Sequence, residues 1–283
     1  MFLLTSAVVA EDHQIVLTRR AHTGDRYQVV CDATQATRTI WTVDGSRMPA
    51  TNEVDVWHYF AVVEVVAASA LGTENQARIT VNELTSMKRI DGRDGEKSDL
   101  LPAGTVIEAV WRDGSTHFTI AGEPPAAALA LVLSRLVHLE SPAISLDEAI
   151  FGTDQRQQAG ASWPVDAKAA AQDMTIRMKS PTKAEAISGS SKLVEVVPDG
   201  LKITSELTAV GVQFPLQPWM TISNSRLRFE GSGVFPIDHD RRPPRRSVLS
   251  VLTVTGTGDQ DGKSYILDYT YRLFADYIMS PLP

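Results

Sequence analysis

The chain has 283 residues, of which 43% are hydrophobic and 22% charged, and its formal net charge is -7 at pH 7. This is the balance of an ordinary globular protein with enough apolar residues for a sizeable core. The negative charge argues against nucleic-acid binding, which needs a concentrated positive field to neutralise phosphates.

The chain begins with an apolar run, Met1 to Ala10, that resembles the second half of a secretory signal peptide and ends in Val8-x-Ala10. It lacks a positively charged start, so a buried N-terminal strand is the alternative interpretation. We expect an exported protein, either periplasmic or extracellular. Cys31 is the only cysteine, which excludes an internal disulfide and favours a small buried side chain.

The first half of the sequence is patterned as strands. Arg26 to Val43 ends at the turn pair Asp44-Gly45, which is typical of a hairpin. In Val54 to Val66 both alternating faces are mostly apolar, so we predict a central strand that is covered on both sides. The charged, glycine-containing stretch Asp91 to Lys97 is predicted to be a solvated and mobile loop.

One convincing helix is predicted over Ala126 to Leu139, which is almost entirely apolar and lies between Pro124-Pro125 and Pro142. We expect such an apolar helix to pack against a sheet or to fill its concave face. Its 14 residues include Arg135. Because a membrane-spanning helix needs about 20 apolar residues, no transmembrane segment is predicted.

The second half repeats the strand pattern. Apolar and polar residues alternate in Leu201 to Val212 and again in Tyr265 to Met279. Phe214 to Trp219 contains two prolines and is therefore excluded from a central strand. The whole chain thus predicts a mainly β fold, a strongly curved antiparallel sheet or open barrel with a central apolar helix packed on it.

No catalytic or metal-binding residue is assigned from the sequence, and no cofactor is predicted. The six histidines lack zinc-motif spacing, and Gly231-Ser232-Gly233 is not the nucleophile elbow of a serine hydrolase. Asp147 and Glu148 fit the first turn of a helix better than an acid–base pair. Arg241 to Arg246 predicts an exposed loop, more plausibly solvated than bound to an anionic partner.

Two motifs follow the predicted helix, Asp147-Glu148-x-Ile150-Phe151-Gly152 and Gly160-x-Ser162-Trp163-Pro164-Val165-Asp166. Placed between two strand-rich halves, they resemble a group of uncharacterised exported bacterial β-rich proteins. The layout of that group is similar to lipocalin-like and lipoprotein-carrier-like folds. The resemblance implies an antiparallel sheet with a helix on its concave side, and it implies no catalytic residue.

These observations predict one domain built from two halves, with a truncated signal peptide at 1–10, β halves at 11–122 and 176–283, and a connection at 123–175. The favoured function is non-catalytic binding of an apolar or amphipathic ligand, or of a partner protein, between helix and sheet. An envelope hydrolase and an interaction module using Arg241 to Arg246 are the alternatives. The predicted ligand contacts are Leu129, Leu133, Leu136, Trp57 and Trp163.

Overall fold

The computed structural model describes residues 11–18, 20–143, 146–177, 181–238 and 241–283, so the signal-like run at 1–10 lies outside it. The mainly β prediction is confirmed, since thirteen strands of the described residues form one antiparallel sheet. The strands are β1 Arg26–Val43, β2 Ser46–Arg47, β3 Thr51–Ala68, β4 Glu74–Ile90, β5 Arg93–Asp99, β6 Val106–Arg112, β7 Ser115–Ile120, β8 Ser162–Pro164, β9 Ile187–Val197, β10 Gly200–Val210, β11 Met220–Phe235, β12 Arg245–Gln260 and β13 Lys263–Leu282.

The order of the strands is β7-β6-β4-β3-β1-β13-β12-β11-β10-β9-β8, with β2 beside β1 and β5 beside β4. Within the described chain the two edge strands, β7 and β8, do not pair with each other, so the sheet is open. Each half of the chain is a series of neighbouring antiparallel strands. The halves join at the centre, where β1 pairs with β13 from Arg26 opposite Leu282 to Val43 opposite Tyr265.

The described helices and the N-terminal arm pack on one face of the sheet, and we call this face the helix side and the other the open face. The buried core on the helix side consists of two clusters. One cluster joins α1 to β1, β3, β4 and β6, and the other joins α2 and α3 to β9 and β10. The N-terminal arm lies on the same side, because Ile15 and Leu17 belong to the second cluster and Ala21 to the first.

The predicted hairpin at Asp44-Gly45 is confirmed, and the same chemistry recurs at Asp113-Gly114 and Asp261-Gly262. In each pair both residues have positive φ, for example 48° at Asp44 and 77° at Gly45. These are the angles of a two-residue turn whose twist matches that of the flanking strands. A fourth such turn, Asp91-Gly92, leads into β5, so the prediction of a loop at Asp91 to Lys97 is wrong, whereas its predicted exposure to solvent is confirmed.

Helix α1 spans Ala127–Leu136, shorter than the predicted Ala126 to Leu139. It buries Leu133 and Leu136, whereas Leu131 is 54% exposed. The helix packs near β7 at one edge of the sheet, so a central position for the apolar helix is not confirmed.

Two further helices follow, α2 at Leu146–Phe151 and α3 at Ala167–Arg177. The acidic pair Asp147 and Glu148 occupies the first turn of α2, where negative charge is favourable. Asp166 begins α3, because its Oδ1 accepts hydrogen bonds from the backbone N–H groups of Lys168 and Ala169 at 2.8 and 3.0 Å. Helix α3 is not among the elements predicted from the sequence, although an acidic cap before an alanine-rich stretch is a helix signal.

Candidate functional site

The open face presents apolar side chains at the centre of the sheet. Residues directly opposite each other in an antiparallel ladder share a face, so the register places Phe60, Val30 and Ile278 side by side across β3, β1 and β13. We call these three the Phe60 row. Each is at least partly exposed, and Ile278 is 51% exposed.

A second apolar row lies four residues further along the same strands. Val56 on β3, Phe274 on β13 and Leu249 on β12 form this Val56 row, with Thr34 of β1 between Val56 and Phe274. Phe274 is 39% exposed. The prediction that the strand at Val54 to Val66 is covered on both sides is therefore wrong, because the described helices and loops contribute their core residues to the helix side.

A polar row separates the two apolar rows. His58, Asp32, Asp276 and Ser247 face one another across β3, β1, β13 and β12, and the same register continues through polar side chains to the edge of the sheet. His58 Nδ1 lies 2.8 Å from Asp32 Oδ1, and Arg245 Nη2 lies 2.7 Å from Asp276 Oδ2. The continuation consists of Ser232, Thr204, Lys192 and Ser162.

Two depressions indent the open face in the second half of the chain. The first has a volume of about 740 Å³ and the second about 460 Å³, and Ser190, Glu206 and Arg228 line both. Leu249 and Phe274 of the Val56 row also line the second depression. The apolar row therefore leads directly into a polar hollow.

Four cationic side chains line these depressions, and we call them the basic groove: Lys192, Arg226, Arg228 and Arg272. Glu206 and Glu230 are the acidic residues there, so the lining carries an excess of positive charge. Arg228 forms an ion pair with Glu230. Among the described residues, the side chains of the other three cations have no ion-pair or hydrogen-bond partner.

The arginine run does not form the exposed loop predicted from the sequence. Arg242 stacks on the Tyr27 ring at 3.5 Å and pairs with Glu74 at 2.7 Å, where the two side chains are 14% and 11% exposed. Arg246 pairs with Asp147 of α2 at 2.6 Å. Arg245 pairs with Asp276 on the open face, which leaves Arg241 as the exposed member without an ion pair in the described chain.

Arg242 and the half-buried Arg246 both keep their charge. Burial alone would lower the pKa of Arg242, but the nearby Tyr27 and Glu74 outweigh it and raise the pKa above its usual value. The carboxylate of Asp147 likewise raises the pKa of Arg246. The first pair ties the segment before β12 to β4, and the second ties the start of β12 to α2, so their role is structural.

The residues predicted to hold a ligand lie in two different clusters. Leu133, Leu136 and Trp57 are 0%, 2% and 5% exposed in the first cluster, with Leu129 packed against it. Trp163 belongs to the second cluster, and its Nε1 donates a hydrogen bond to the carbonyl oxygen of Phe151 at 2.8 Å. Their contacts are therefore made by other protein side chains, and a ligand-binding role for them stays a prediction.

No sequence motif marked the rows or the basic groove. A weak signal for the rows is that both alternating faces of β3 are apolar, and this pattern predicts a strand that is buried on both faces. The basic groove had no sequence signal, because its cations come from β9, β11 and β13 and meet only through the register.

The described residues hold no cluster of three or more histidine, cysteine or acidic side chains suited to bind a metal. None of the described helices has the length and hydrophobicity needed to cross a membrane.

Comparison with known proteins gives no family. No family model and no curated protein matches the chain. Among solved structures, the chain is similar to a lipovitellin described for its lipid–protein interactions, with a TM-score of 0.43 and 8% identity, over 93% of this chain and 26% of that one. The chain thus spans about a quarter of that protein's length.

Two other solved structures are less similar to this chain. OccK7 of Pseudomonas aeruginosa has a TM-score of 0.24 and 8% identity, over 92% of this chain and 100% of that one. The toluene transporter TodX of P. putida has a TM-score of 0.20 and 6% identity, over 96% of each chain. Because all three TM-scores are below 0.5, these similarities say nothing about the function of this chain.

Proposed function

We propose that this protein binds an amphipathic ligand with an alkyl chain on the open face of its sheet. The observation that carries the proposal is the pair of apolar rows, which lie at the centre of a large sheet and are covered by none of the described helices or loops. Clusters of exposed apolar side chains often mark a binding site.

The arrangement of the rows supports a ligand with two chemical parts. Neighbouring strands are about 4.8 Å apart, so the Val56 row, which crosses β3, β1, β13 and β12, offers a track of about 14 Å that is apolar except at Thr34. An alkyl chain that lies along this track buries apolar surface, and each Å² removed from water contributes about 25 cal/mol of favourable binding free energy. The track ends at the second depression, where polar side chains can accept a headgroup.

This proposal keeps the predicted class of ligand and moves the site from the helix side to the open face. On the helix side Leu133 is fully buried, whereas Phe274 and Ile278 on the open face are 39% and 51% exposed. A ligand therefore meets accessible apolar surface on the open face without unpacking the core.

The test is binding of palmitate and of palmitoyl-lysophosphatidylcholine, measured by isothermal titration calorimetry and by native mass spectrometry. We expect Phe274→Asp to weaken binding of both ligands at least tenfold, because it places a charge in the alkyl track. Leu131→Asp is the matched control, since Leu131 is 54% exposed but lies on α1. Unchanged affinity in F274D, or no binding by the unmodified protein, would refute the proposal.

A further inference from the structure

We infer that the basic groove binds an anionic headgroup, a carboxylate or a phosphate, so that the protein selects anionic over uncharged amphipathic ligands. This inference rests on the proposed function and names the ligand class of the same site. It starts from the positions of Lys192, Arg226 and Arg272, which come from three different strands and line adjoining depressions.

The charge of the groove is opposite to that of the molecule. The chain has a net charge of -7, yet four cations and two acidic side chains line the two depressions. An excess of positive charge in a concave part of an acidic protein concentrates anions there. Because Arg228 is already paired with Glu230, the charges available to a ligand are those of Lys192, Arg226 and Arg272.

The chemistry of the lining suits oxygen acceptors. Guanidinium groups donate two parallel hydrogen bonds to a carboxylate or phosphate, and an ammonium acts as a point charge. Hydroxyl donors stand beside them, namely Ser162, Ser190, Thr204, Ser232 and Ser247 in the second depression.

The groove and the alkyl track are continuous. Arg272 lies two positions before Phe274 on β13, so both side chains stand on the open face. Both also line the second depression together with Leu249. A headgroup at Arg272 therefore places the first carbons of its chain at Phe274, which fixes the direction in which the ligand lies.

The test compares palmitate with two ligands of equal chain length, hexadecyl phosphate and the uncharged hexadecyl maltoside. We expect both anionic ligands to bind at least tenfold more tightly than the maltoside at low salt, and the difference to shrink as salt screens the groove.

In R272Q the anionic ligands lose about tenfold in affinity, whereas the maltoside binds as before. Arg38→Gln is the control, because Arg38 also lies on the open face of β1 but outside the groove.

The outcomes separate the two proposals. If the three ligands bind equally and R272Q changes none of them, the anionic headgroup is refuted while the proposed function stands. If none of the ligands binds, both fall. Inorganic phosphate is titrated in parallel, and phosphate binding without binding of any alkyl ligand would assign the groove to free phosphate and refute a lipid headgroup.

Discussion

The two faces of the sheet are made of the same strands, yet they differ in how their apolar side chains are used. On the helix side of β3, Trp57 and Tyr59 are 5% and 1% exposed and belong to a closely packed cluster. On the open face of the same strand, Val56 and Phe60 stay partly exposed. Alternation along a strand therefore tells which residues share a face, whereas it does not tell whether that face is covered.

The largest expected difference between the faces is in stability. Trp57→Ala should lower the free energy of unfolding by about 3–5 kcal/mol, because it leaves a cavity in the first cluster. Phe60→Ala on the opposite face should lower it by about 1 kcal/mol or less, since water already contacts this side chain. Urea unfolding of both variants measures the difference, and equal losses would show that the open face is packed as well as the helix side.

The second prediction concerns the ion pair that holds the segment before β12 to the helix side. Arg242→Ala leaves Glu74 with its partly buried charge unpaired, and we expect a loss of about 3 kcal/mol in unfolding free energy. Arg241→Ala is the matched control, because the adjacent side chain is exposed, and its effect should stay within about 0.5 kcal/mol. A small effect of R242A would mean that this segment is not tied to the sheet by the pair.

The third prediction uses Cys31, a buried residue of the helix side whose pKa burial raises to about 12. The thiol therefore stays protonated at pH 8, and iodoacetamide should modify the folded protein far more slowly than the protein unfolded in urea. Mass spectrometry over a time course measures both rates. Comparable rates would place Cys31 in contact with solvent.

The same pKa shift has a defined sign for stability. The folded state binds the thiol proton more tightly than the unfolded state, so the stabilising effect is complete below the unfolded value of 9.0 and is lost as the pH rises towards about 12. In this alkaline range C31A should lose less unfolding free energy per pH unit than the unmodified protein. Equal slopes for the two proteins would contradict the shift.

Local features of the fold were predictable from the sequence. The period-two pattern predicted a strand at Arg26 to Val43, and β1 has these bounds. The pair Asp44-Gly45 predicted a hairpin because aspartate and glycine tolerate the positive φ that such turns need. These signals lie within a few residues of the structure they specify, so no knowledge of distant parts of the chain is required.

The candidate site was not predictable in the same way. Its rows depend on β1 lying between β3 and β13, and no local signal gives the partner or the register of a strand. The apolar residues on both faces of β3 are equally compatible with double burial and with an exposed binding surface. The exposed loop predicted at Arg241 to Arg246 is wrong for a related reason, because the partners Glu74 and Asp147 are far away in the sequence.

The central ladder between β1 and β13 sets the order of events when the chain is made on the ribosome. Asp44 and Ser264, which hydrogen-bond beside this ladder, are 220 positions apart. At about 5–20 residues per second, β1 emerges on the order of ten seconds or more before β13. Throughout that interval one long edge of β1 lacks its neighbour, and such an edge attracts other strands. Newly made chains are thus most open to aggregation in the middle of the sheet, at the seam that is best protected once folding is complete.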